Sequence, residues 1–195
     1  MKNTRGFSLI ELLVVILIIG LSVGIVAVNI GDQQQQYKVE AKGFANQASI
    51  VAAEAVVSRQ VLGVDLYRSV DDDGDEYFGY RWLLRQPRLK SDGSVQLGVW
   101  QWVLLDLAEL ESSYRFSKAL DLQLEVNGVE TFIDDKVELG GSQLQEQLMP
   151  DIYLLSNGEI SSFSLQILNR NNSQLLYMIE GDLLGRIRWV NNDEA

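Results

Sequence analysis

Phe7-Ser8-Leu9-Ile10-Glu11-Leu12-Leu13-Val14-Val15-Ile16-Leu17-Ile18-Ile19-Gly20-Leu21-Ser22-Val23-Gly24-Ile25-Val26-Ala27-Val28-Asn29-Ile30 is the stretch on which the reading of this chain turns. Its 24 residues carry one charge, at Glu11. As a helix it would reach roughly 36 Å, enough to cross a hydrocarbon core of about 30 Å. A buried core helix rarely stays apolar on every face for that long. A cleaved secretory signal has a shorter apolar region and a small-residue cleavage site such as Ala-x-Ala, which does not follow here. Lys2 and Arg5 precede the run, so the N-terminus is expected in the cytoplasm and the remainder beyond the membrane. In a cell with two membranes that places a single-pass protein in the inner membrane with its bulk in the periplasm.

Glu11 is out of character with its surroundings. A carboxylate at mid-bilayer costs about 2.5–3.5 kcal/mol, and less toward the interface. Two readings of it stand side by side. It is a first-turn acid facing the positive end of the helix dipole, worth about 0.3–1 kcal/mol, or a charge that awaits a cationic partner. Gly20 and Gly24 form a small-xxx-small step of the kind that lets membrane helices pack closely. Glycine is also simply commoner in such helices.

Working outward, composition removes most enzymology. The 195 residues contain no His and no Cys, which excludes a Ser-His-Asp triad, a thiol nucleophile and thiolate or imidazole metal sites. A formal charge of −11 argues against nucleic acid as a partner. Neither a Gly-x-x-x-x-Gly-Lys loop nor Gly-x-Ser-x-Gly or Ser-x-x-Lys occurs. The acidic run Asp71-Asp72-Asp73-Gly74-Asp75-Glu76 invites a calcium loop. With Gly74 at the sixth position the twelfth is Tyr80, where a bidentate Glu is needed, so a solvated turn is the better reading. Trp82, Trp100, Trp102 and Trp189 would suit a sugar groove, but aromatics on strands are more often core. No enzyme, metal or cofactor is expected.

Residues 31–60 lack proline and keep a helical period. Ala41, Phe44 or Ala45, Ala48, Val51 or Ala52, and Ala55 form a stripe, with Lys38, Glu40, Lys42, Asn46, Gln47 and Arg59 assigned to the other faces. The stripe suits a coiled-coil seam or a face laid on a sheet, and its small residues favour the sheet. Beyond Arg59 the pattern becomes alternating, with turn signals. Strands are expected at Val64–Arg68, Tyr77–Leu83, Trp100–Leu104, Leu120–Val126, Val129–Ile133, Asp151–Leu155, Ile160–Leu168, Leu175–Ile179 and Arg186–Val190. Asn127-Gly128 signals a hairpin turn. Gln86–Gly98, with Pro87 and Asp92-Gly93, reads as a loop, and Gly140–Gln143 as a flexible connection. The fold class is α+β: a long N-terminal helix, transmembrane and then amphipathic, packed on antiparallel sheet.

The junction Arg5-Gly6-Phe7-Ser8-Leu9-Ile10-Glu11-Leu12, followed by a continuous apolar helix, resembles the processing signal of type IV pilins and type II secretion pseudopilins. Gly63-Val64-Asp65-Leu66, Tyr77–Leu83, Pro150–Ile160 and Gly181–Ile187 resemble segments of the H-type minor pseudopilins, while residues 87–145 carry no motif that adds to the resemblance. The resemblance implies that prepilin peptidase removes residues 1–6 after Gly6 and methylates the new amine of Phe7. It implies a membrane half at 7–30, an amphipathic half at 31–60 and a periplasmic β-rich domain at 61–195. It also supplies a cation for Glu11, the Phe7 amine of a neighbouring subunit. Implied partners are other minor and major pseudopilins, the inner-membrane assembly platform, and secreted proteins or the outer-membrane secretin. The expected role is structural, in the tip region of the pseudopilus that exports folded proteins. The alternative is a minor pilin of a type IV pilus or DNA-uptake machine, disfavoured by the missing cysteine pair and the negative charge. A membrane-anchored periplasmic enzyme or binding domain explains the span but not Glu11 or the Gly6-Phe7 junction.

Overall fold

The computed structural model describes residues 9–90, 92–108, 110–135 and 148–191, without the side chains of 19–32 and 191. Two compact units divide between Val39 and Glu40, and the second contains every strand. Helix α1 runs Leu9–Ser58. No proline interrupts it, since the first in the chain is Pro87. It stops two residues before the expected end because Arg59 takes a left-handed conformation at φ 56°. The Gln60 N–H then donates to the Ala55 carbonyl at 3.1 Å and closes the last turn.

Within the second unit the expected stripe is the buried face of the helix. Ala41, Phe44, Ala45, Ala48, Val51 and Ala55 are all buried. Phe44 lies edge-on to Tyr80 at 4.9 Å and stacks on Trp82 at 5.9 Å between ring centroids. The helix therefore lies on sheet, not in a coiled-coil seam.

The first sheet is built from β1 (Leu62–Val70), β2 (Glu76–Leu89), β3 (Val95–Leu104), β4 (Ser113–Arg115) and β7 (Ile152–Leu154). Its order is β3-β2-β1-β7, and β4 pairs with β2 at Gly79–Arg81. Leu62, Leu66, Trp82 and Ile152 are fully buried. The opposite face of β1 and β2 is also buried, and Tyr67 lies across Gly79 there. A Cβ at Gly79 would come within 2.5 Å of the Tyr67 ring, so only glycine fits.

The expected loop at Gln86–Gly98 is instead a hairpin. β2 continues to Leu89 and β3 begins at Val95, with Lys90 N–H donating to the Ser94 carbonyl at 2.8 Å across the turn. Pro87 is compatible with this because it sits opposite Trp100 at a pair that exchanges no hydrogen bonds. Its nitrogen points to the other side, where β1 has already ended: Leu62 pairs with Leu84, and the Arg85 N–H donates to Val61.

The second sheet comprises β5 (Leu120–Val126), β6 (Val129–Thr131), β8 (Phe163–Asn169), β9 (Leu175–Gly181) and β10 (Ile187–Asn191), in the order β10-β9-β8-β5-β6. Asn127 and Gly128 have φ 53° and 79°, the positive pair that a two-residue hairpin turn demands. Alternate residues Leu120, Leu124, Leu165, Ile167 and Ile179 bury the inner face. The short strand β4 was not expected; Ser-Tyr-Arg is too brief to show a period. Gly140–Gln143 lies outside the described residues.

Among the described residues no helix is long and apolar enough to cross a membrane. The expected span at 7–30 falls partly outside them, since residues 7 and 8 and the side chains from 19 onward are not described.

Candidate assembly interface

Of the residues singled out for processing and assembly, Gly6 and Phe7 lie outside the described residues. Glu11 is in the first turn of α1 and exposed. Around it every apolar side chain from Leu9 to Ile18 is exposed, between 45% and 85%. Runs of exposed apolar surface on this scale mark contact with lipid or protein. The dipole reading and the pairing reading of Glu11 both accord with its first-turn position. Gly20 and Gly24 are in α1, and their surroundings lie outside the described residues.

The second unit shows how the helix is fixed to the sheet, and here two expectations are corrected. Glu40 and Gln47 were assigned to polar faces, yet Glu40 is buried and Gln47 half-buried. Seven residues apart, they share the helix face on which Phe44 sits. Glu40 Oε2 accepts the Ser117 N–H at 2.9 Å. Gln47 Oε1 accepts both the Tyr80 hydroxyl at 2.8 Å and the Trp82 indole N–H at 3.2 Å. Two aromatic side chains thereby bury their polar ends satisfied. Burial, reinforced by Tyr114, Glu111 and Glu40, pushes the Tyr80 hydroxyl well above its ordinary pKa.

On the other face of the first sheet, Asp65 and Arg81 form a buried ion pair across β1 and β2. Arg81 Nη2 and Nε donate to Asp65 Oδ2 at 2.8 and 3.1 Å. The guanidinium also lies 4.5 Å over the Tyr67 ring. Asp151 Oδ2 accepts the Leu66 N–H at 2.7 Å, tying the segment before β7 to β1. The available signal was a charge in each of two segments otherwise apolar, Gly63–Leu66 and Tyr77–Leu83. Burial of such charges requires a partner.

The acidic turn Asp71–Glu76 is held by a lysine. Lys118 Nζ contacts the Asp71 carboxylate and lies 2.9 Å from Asp75 Oδ2, while Asp71 Oδ1 accepts the N–H groups of Asp73 and Asp75. The Lys118 hydrogen bond, helped by the backbone of Asp75, holds the Asp71 carboxyl below its ordinary pKa. Among the described residues no group of three or more acidic side chains is arranged to hold a metal. The tryptophans divide: Trp82 is core, Trp102 meets Tyr153 edge-on at 5.7 Å, Trp189 lies under Lys42, and Trp100 is half exposed beneath Arg85. The reading of strand aromatics as core thus fails for Trp100.

Residues 1–27 match the family model described as a prokaryotic N-terminal methylation motif. Along its length the chain is similar to the type II secretion system protein H of Pseudomonas aeruginosa, at 27% identity over 87% of this chain and 86% of that one. It is also similar to the protein H of Vibrio cholerae, at 26% identity over 86% and 84%. The fold is that of the minor pseudopilin EpsH from the Type 2 Secretion System of Vibrio cholerae, with a TM-score of 0.53 at 21% identity over 82% of this chain and 99% of that one. The solution structure of GspH from E. coli superposes with a TM-score of 0.52 at 18% identity, over 82% and 90%.

Proposed function

We propose, from these likenesses, that the chain is a minor pseudopilin of the type II secretion system, of the H type, whose work is structural rather than catalytic. The observation that carries this is a methylation motif at residues 1–27 that takes in the exposed apolar start of α1, Leu9–Ile18, on a chain similar to protein H over most of its length. Prepilin peptidase removes residues 1–6 after Gly6 and methylates the Phe7 amine. Residues 7–30 then anchor the mature chain in the inner membrane, residues 31–60 continue as the amphipathic helix, and residues 61–195 form the periplasmic domain. Other pseudopilins and the assembly platform receive the helix, with Gly20 and Gly24 allowing close approach. The tip region of the pseudopilus is the place of action.

Glu11 has the central part in entry to the filament. A carboxylate among exposed Leu, Ile and Val is costly in lipid. The α-amine of a neighbour's Phe7, with an ordinary pKa near 8, is mostly charged at neutral pH and offsets that cost. Removing Glu11 therefore leaves insertion and folding intact but weakens incorporation.

Intact-mass measurement on protein from cells with the peptidase is expected to show a chain beginning at methylated Phe7. Gly6→Val is expected to leave Met1 in place and abolish export. Glu11→Ala is expected to be processed and folded normally while export falls at least tenfold. Unprocessed wild-type chain would overturn the assignment, and undiminished export with Glu11→Ala would return Glu11 to a dipole partner.

A further inference from the structure

β3 is the outer strand of the first sheet. Its inner side pairs with β2, and among the described residues no strand pairs with its outer side. The Leu105 N–H donates to the Trp82 carbonyl at 2.8 Å, which fixes the alternation along β3. Gln101 and Val103, opposite Gln86 and Leu84, turn their backbone groups toward β2. Trp100, Trp102 and Leu104 turn theirs outward, leaving three N–H and three C=O groups in a row.

Such edges are ordinarily guarded by charges, proline, a bulge or a covering element, because they template the addition of another strand. Val95–Leu104 contains no charged residue and no proline, in a chain that is 22% charged. The register breaks beyond Pro87–Trp100, and Gly98 takes φ 77°, so the irregularity guards only the tip of the hairpin. From Trp100 to Leu104 the strand is regular. Trp100 is 54% exposed and Leu104 37%.

We propose that the outer edge of β3, at Trp100–Leu104, accepts an extended strand from a neighbouring subunit of different sequence and so enlarges the first sheet by one strand. A row of alternating donors and acceptors is matched by an extended backbone and by little else. Arg85 of β2 lies over the Trp100 ring at 5.0 Å, which puts a cation beside this edge in a chain of net charge −11. It favours a strand bearing carboxylates next to apolar residues, the latter packing on Trp100 and Trp102. The same net charge disfavours a second copy of this chain. The identity of the neighbour rests on the pseudopilus reading; the open edge does not.

Amide exchange by NMR on the full chain in detergent micelles tests the edge first. The amides of Trp100, Trp102 and Leu104 are expected to exchange at least tenfold faster than those of Gln101 and Val103. Equal protection would mean that the chain covers its own edge, and would overturn the proposal. Co-expression with the other minor pseudopilins of the same secretion system tests the occupant. In the purified complex the same three amides are expected to become at least tenfold more protected. Leu104→Pro removes an outward donor and, like Pro87, no bond to the paired strand. It is expected to reduce co-purification at least tenfold, while Leu104→Ala stays within twofold. No complex, a complex whose edge amides stay unprotected, or one indifferent to the proline would overturn the proposal while leaving Phe7 processing and the Glu11→Ala result untouched. A homodimer by light scattering, abolished by Leu104→Pro, would assign the edge to a second copy and overturn it likewise. If Leu104→Pro does not fold, the exchange data decide alone.

Discussion

Residues 9–18 and 40–55 belong to one helix and live in opposite surroundings. In the first segment all apolar side chains are exposed, although they are Leu, Ile and Val. In the second, small residues and one phenylalanine are buried to 7% exposure or less. Size and hydrophobicity alone would predict the reverse. The lesson is that apolar content says how strongly a segment avoids water, and spacing says whether its own domain can shelter it. A stripe recurring at three and four residues finds a sheet; a helix apolar on every face needs lipid or other subunits.

Cutting the comparison in two gives the largest expected effect. A chain covering residues 31–195 lacks the exposed segment and Glu11 but keeps the buried stripe. It is expected to show a cooperative thermal transition without detergent and to restore no export in a deletion strain. An aggregated product would show that the domain depends on the segment removed. Restored export would show that polymerisation through the N-terminal helix is dispensable.

Single substitutions sharpen the same contrast. Phe44→Ala empties a site enclosed by Tyr80, Trp82 and Phe116. Large-to-small changes of this kind cost about 3–5 kcal/mol. At about 2–4 °C per kcal/mol for a domain of this size, the midpoint is expected to fall by roughly 10 °C. Leu13→Ala, in the exposed segment, likewise truncates an apolar side chain of the helix but is expected to leave the midpoint unchanged. A shift with Leu13→Ala comparable to that with Phe44→Ala would break the contrast.

Gln47→Ala is a subtler test, because the buried face of the helix is not purely apolar. The change strands two donors, the Tyr80 hydroxyl and the Trp82 indole N–H, which now share one oxygen. Leaving buried donors unsatisfied costs about 1–3 kcal/mol. Gln47→Glu would keep an acceptor but bury a charge. It is expected to be no better than alanine near neutral pH and to recover as the carboxyl is protonated. A Gln47→Ala chain as stable as wild type in urea melts would mean that water replaces the amide.

These polar anchors mark the limit of what sequence pattern reveals. The Ala41–Ala55 stripe, the Asn127-Gly128 turn and the alternating strands were legible because each depends on residues close together in the chain. Glu40 and Gln47 escape a pattern reading because polarity in a helix signals exposure, whereas their partners, Ser117, Tyr80 and Trp82, lie 33 to 77 positions away. Asp65 and Arg81 were visible as residues but not as a pair, since the register of β1 against β2 brings them together. Pro87 misled for a related reason. Its cost in a strand depends on which way its nitrogen points, and that is set by a neighbour's end. The N-terminal methylation motif at residues 1–27 is local and needs no folded domain to be recognised; the roles of Gly6, Phe7 and Glu11 within it are those proposed above.

The smallest expected effect belongs to the acidic turn, where most of the charges are exposed and water screens them. The Asp71 carboxyl is held below its ordinary value of 3.8 by Lys118, with the Asp75 and Asp73 backbone assisting. A carboxyl depressed in the folded state adds stability above its unfolded pKa and loses it as pH falls through the folded one. The turn is therefore expected to hold unchanged from neutral pH to about 4 and to loosen only below that. Because Asp71 is only half-buried and its partners Lys118 and Asp75 are exposed, the global melt is a poor reporter. The amides of Asp73 and Asp75, which donate to Asp71 Oδ1, are the direct one. Their exchange, corrected for intrinsic pH dependence, is expected to accelerate only below pH 4. Lys118→Met is expected to shift that onset upward, and high salt to mimic it in part. An onset that ignores Lys118→Met would mean that the backbone donors alone organise the turn.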